Sequence, residues 1–75
     1  ISFNYYGPSV EAVLDKFPMA KVVDKQEGVC SIEAEVFGTG VKMWLLSQGS
    51  KVKVTAPETL VQEMKQEIEK MDDQY

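Results

Sequence analysis

The chain has 75 residues with 12 acidic groups against 8 basic ones, all lysine, a net charge of -4 and no histidine. Without histidine the commonest general base and metal ligand is missing, and the acidic balance disfavours a free-standing nucleic-acid binder. One small domain over residues 1–75 is expected, since this length leaves no room for a second core. A domain so short buries only about 60–65% of its unfolded surface and profits from packing on something else. The sequence opens on Ile1-Ser2-Phe3 with neither a start methionine nor a basic leader, and so reads as a piece of a longer protein. Its apolar runs are too short to cross a membrane. The single cysteine, Cys30, has no partner for an internal disulfide, which fits a reducing, cytoplasmic setting.

In chain order, Ile1, Phe3 and Tyr5 alternate with Ser2, Asn4 and Tyr6, the period of a half-buried strand. Gly7-Pro8 breaks it, and Ser9 then stands where a helix N-cap belongs, ahead of Val10, Val13, Leu14 and Phe17 on one helical face. Pro18 ends that helix, because the residue before a proline is pushed out of the helical region. A strand over Lys21 to Gln26 follows, then a turn at Glu27-Gly28 and a longer strand from Val29 to Phe37. In the latter Cys30, Ile32, Ala34 and Val36 take the core face and Ser31, Glu33 and Glu35 the other. Gly38-Thr39-Gly40 precedes a short helix with Val41, Trp44 and Leu45 on one side, and Gly49 suits its exit. Lys51 to Ala56 is the last strand, with Val52, Val54 and Ala56 inward and Lys51 and Lys53 outward. Pro57 opens a final helix on which Leu60, Val61, Met64, Ile68 and Met71, continued by Tyr75, recur at three-to-four spacing. The first six elements predict a ferredoxin-like split βαββαβ fold of the α+β class. That fold is a four-stranded antiparallel sheet with its helices on one face, here with an added C-terminal helix.

Candidate chemistry is sparse. Cys30 sits on a core face with no base to ionise it, so it reads as a small buried hydrophobe. Glu33 and Glu35 share one side of a strand, about 7 Å apart by strand rise. An open sheet gives such a pair neither a cleft nor a means of separating their pKa values. Asp72-Asp73 lacks the spaced oxygen ligands of a calcium loop. Gly38-Thr39-Gly40 lacks the lysine and hydroxyl residue of a phosphate loop, and reads as a strand-to-helix turn. No catalytic, cofactor-binding or metal-ligating residue is expected, and the chain is not read as an enzyme. An RNA-recognition surface is disfavoured because the third strand would present acidic side chains where bases stack. What remains is the outward sheet face, formed by Ser2, Asn4, Tyr6, Glu33, Glu35, Lys51 and Lys53, as a candidate docking surface for a protein.

The stretch Trp44-Leu45-Leu46-Ser47-Gln48-Gly49, then Val52-Lys53-Val54, then Ala56-Pro57-Glu58-Thr59-Leu60 leading into the final helix, carries a family resemblance. It resembles the C-terminal extension, called WCX, of WYL-domain, helix-turn-helix (DeoR-like) bacterial transcriptional regulators. The upstream strand, the helix with Val13-Leu14 and the hairpin at Glu27-Gly28 fit the same pattern. The resemblance implies a regulatory and dimerisation domain that takes no cofactor. Its partner would be a second copy or the WYL domain of its own chain, with DNA bound only through a separate N-terminal domain and an effector of unstated identity. Members of that family often carry arginines in this region; this sequence has none. A reading from a different class is an ACT-like sensor of an amino acid or nucleotide, for which Gly38-Thr39-Gly40 is the nearest candidate loop.

Overall fold

The computed structural model describes residues 1–36 and 40–75. The elements in chain order are β1 (Ser2–Tyr5), α1 (Val10–Lys16), β2 (Lys21–Gln26), β3 (Val29–Glu33), α2 (Gly40–Ser47), β4 (Val52–Ala56) and α3 (Glu58–Asp72), with a 3-10 turn at Gly49–Lys51 before β4. This is an α+β fold: the four strands form one sheet in the order β2-β3-β1-β4. Each pair of neighbours is antiparallel. It follows that β1 and β2 point the same way with β3 between them, and that β3 and β4 likewise flank β1.

The strand faces follow the alternation in the sequence. Phe3 lies between Ile32 and Val54, and Tyr5 between Cys30 and Val52, on the face that meets the helices. Phe3, Tyr5 and Ile32 are buried there with Val13 of α1, Leu45 of α2, Leu60 of α3 and Ala34, in one cluster. Three aromatic rings lock its centre, with Phe3 edge-on to both Phe17 and Trp44 at centroid distances of 6.4 and 6.0 Å, and Phe17 to Trp44 at 4.8 Å. These are the tilted geometries that ring quadrupoles favour.

Local signals hold at most element ends. The first helix stops at Lys16, two residues before Pro18, and Phe17 N–H donates to the Val13 carbonyl at 3.0 Å to close its last turn. Ser9 occupies the N-cap with extended backbone, yet its hydroxyl makes no cap bond; it donates to the Glu11 carboxylate at 3.1 Å. Gly28 and Gly49 both adopt positive φ, 78° and 61°, where a side chain would be strained. β2 has the expected bounds, Lys21–Gln26.

Three expectations need correction. The third strand ends at Glu33, short of the expected Phe37; Ala34 is still bonded to Ile1, its N–H donating to the Ile1 carbonyl at 2.9 Å and its carbonyl accepting from the Ile1 nitrogen at 2.8 Å, and Phe37 lies outside the described residues. Lys51 belongs to the 3-10 turn and not to the last strand. A register shift between Ser2 and Phe3 sets Ala56 opposite Ser2, while the alternating burial of Val52, Val54 and Ala56 continues as expected. The final helix buries only its start: Leu60 is buried and Met64 half-buried, but Ile68 and Met71 remain 53% and 48% exposed and Tyr75 is fully exposed.

Candidate functional site

The face of the sheet turned away from the helices is built by backbone register. Ser2 stands opposite Glu33, and Asn4 has Ser31 on one side and Lys53 on the other. Ser31 Oγ donates to Asn4 Oδ1 at 3.0 Å, tying the two central strands together on this side. Ser2 and Asn4 are half-buried by their neighbours, while Glu33 and Lys53 are exposed. These four of the seven expected surface residues therefore share one patch.

The other three stand at its ends. Tyr6 follows β1 and is 44% exposed; its N–H donates to the Lys51 carbonyl at 2.7 Å, which carries the β1–β4 pairing one step further. Tyr6 and the exposed Lys51 thus sit together at one end. Glu35 lies past the end of β3 at the opposite end, where it lines an open depression of about 380 Å³ with Met19, Lys21 and Glu33. Because the strand stops at Glu33, the two glutamates do not form a pair on one continuous strand.

Three further residues of this face lie outside the expected set of seven. Ser31 bonds Asn4, and β2 adds Lys21 opposite Glu33 and Asp24 opposite Ser31. The register slips between Val22 and Asp24, leaving Val23 as an extra residue on β2. Two adjacent valines inside an otherwise mixed strand were the available signal, since a bulge is where alternation breaks. The result is a checkerboard with Lys21, Glu33 and Ser2 in one row and Asp24, Ser31, Asn4 and Lys53 in the next. No aromatic ring of the two central strands points outward, because Phe3 and Tyr5 are both committed to the core.

Cys30 is a half-buried free thiol packed against the core cluster. Among the described residues no three histidine, cysteine, aspartate or glutamate side chains come together to hold a metal ion. None of the described helices is long and apolar enough to cross a membrane. Of the Gly38-Thr39-Gly40 turn, only Gly40 falls among the described residues, as the first residue of α2. The arrangement is that of a small α+β module whose polar, mixed-charge sheet face is left open on one side.

The chain belongs to the WCX domain family: the family model of the WCX domain matches residues 6–71. The match runs from the residue after β1 to the last turn of α3, and so takes in both the helical layer and three of the four strands. No curated protein and no solved structure matched the chain.

Proposed function

We propose that this WCX domain is the C-terminal regulatory and dimerisation domain of a cytoplasmic bacterial WYL-type transcriptional regulator. The observation that carries the reading is the family match across residues 6–71. In this reading the domain is not an enzyme and does not touch DNA; a separate N-terminal domain does. The module works by protein contact, either with a second copy or with the WYL domain of its own chain. An effector then biases the regulator by favouring one arrangement of domains over another, as differential contacts must.

The open sheet face supports this reading. Ser2, Asn4, Glu33 and Lys53, with Tyr6 and Lys51 at one end and Glu35 at the other, offer hydrogen-bonding and charged groups of both signs together with one large aromatic. That composition suits a specific and reversible contact. Tyr6 is the anchor, since interface energy concentrates in partly exposed aromatics.

The test is made in the complete regulator, in cells. Tyr6→Ala combined with Lys53→Glu is expected to alter the transcript profile in the same direction as removal of residues 6–71. A wild-type profile in the doubly substituted strain would discard this face as the contact. A wild-type profile in the strain lacking residues 6–71 would overturn the regulatory role itself.

A further inference from the structure

The final helix is longer than the core it serves. Its first turns are held by Leu60 and Met64, but its apolar stripe runs on through Ile68 and Met71, which are 53% and 48% exposed, to the last turn before Asp72. Exposed apolar side chains scattered singly need no explanation, whereas a continuous stripe at a fixed spacing does. Here the spacing is specific. Val61, Met64, Ile68 and Met71, all within α3, follow one another at intervals of three, four and three. This is the seam of a helix that pairs with another helix, and is narrower than the stripe of a helix lying on a sheet.

The flanking charges select the partner and its direction. On this seam Lys65 and Asp72 lie along one border and Glu67 along the other. Parallel pairing of two copies would bring Glu67 against Asp72 of the partner subunit, two like charges. Antiparallel pairing brings Lys65 against Asp72 of the partner subunit, and twofold symmetry repeats the contact. The register is limited as well. With Ile68 opposite Met71 of the partner subunit, the two helices meet from Lys65 to Asp72, and the helix before Lys65 remains free to cover its own core. Sliding the partner one heptad further would drive it into that core.

We infer that the C-terminal half of α3 docks antiparallel on the same segment of a second copy of this chain, with Lys65 of each protomer facing Asp72 of its partner. This rests on the reading of the domain as a dimerisation module, and it uses a surface separate from the open sheet face.

The experiment is sedimentation equilibrium of the 75-residue chain up to about 1 mM, a range that detects even weak association, with circular dichroism to confirm the fold of each variant. The native chain is expected to dimerise reversibly. Ile68→Glu, at a position outside the core, should weaken the dimer by at least about tenfold because it buries two carboxylates in the seam. Lys65→Glu and Asp72→Lys should each weaken it about threefold. The two together should restore it, because the charge pair is re-formed with its signs exchanged. Tyr6→Ala with Lys53→Glu should leave self-association unchanged. A native chain that stays monomeric, or an unaffected Ile68→Glu dimer, would overturn the α3 interface. Failure of the double exchange to restore association would overturn the antiparallel arrangement. None of these results bears on the loss of regulation expected on removing residues 6–71, so the two ideas stand or fall separately.

Discussion

At the scale of single residues, glycine is required here for two different reasons. A Cβ on Gly7 would be driven into the Tyr5 ring, against its Oη and Cζ atoms. Tyr5 is 6% exposed and seated between Cys30 and Val52, so its ring cannot swing aside. Gly7→Ala is therefore expected to cost about 1–3 kcal/mol, the range for overpacking a close contact, read as a lowered midpoint in urea unfolding. Gly28 is the opposite case, with a φ of 78° and no atom within 4 Å of the position a Cβ would take. Its constraint is backbone conformation alone, so Gly28→Ala should cost about 1 kcal/mol and Gly28→Asn less, because asparagine accepts the left-handed region. Comparable losses for alanine and asparagine at position 28 would show that the turn does not hold this conformation in solution. The turn chemistry at Gly28 was legible in the sequence. The Gly7 contact was not, because it depends on where the Tyr5 ring points after folding.

At the scale of elements, α3 is one helix with two environments. Its sequence pattern is uniform from Leu60 to Met71, yet burial falls from 8% exposed at Leu60 to about half exposed at Ile68 and Met71. Stability should follow burial and not hydrophobicity. Leu60→Ala is expected to cost about 2–4 kcal/mol through lost burial and a residual cavity. Ile68→Ala should change the stability of the dilute monomer by less than about 0.5 kcal/mol, since alanine is the better helix former at an exposed position. Equal losses at the two sites in urea unfolding at low concentration would mean that the far half of α3 is packed on its own core. β2 shows a related divergence. Its bounds were readable from Lys21 to Gln26, but every one of its residues is exposed, because it is an edge strand reached by little of the helical layer. The bulge at Val23 and the lysines at 21 and 25 interrupt the free edge, which discourages pairing with a stray strand.

At the scale of the whole molecule, the core is small. Among the described residues seven side chains are buried, Phe3, Tyr5, Val13, Ile32, Ala34, Leu45 and Leu60, and they join the sheet to all three helices. A domain of this length has little stability to spare, so any contact made only by the folded form raises its melting temperature by mass action. With the α3 interface in place, the melting temperature should rise by a few degrees between dilute and concentrated samples. Ile68→Glu should abolish that rise while leaving the dilute value in place. A native melting temperature independent of concentration would count against association through any surface.

The sequence by itself determined the order of the elements, the limits of β2, the inward residues of β1 and most of β3, the glycine turns and the family. Each of these rests on local spacing or turn chemistry, which neighbouring residues decide among themselves. Tertiary structure alone decided that β3 stops at Glu33, that Val23 bulges, that Ala56 stands opposite Ser2, and that half of the α3 stripe has no cover. Each of those depends on what another element places opposite. Spacing shows which face of a segment is apolar, but only the packed chain shows whether anything lies opposite.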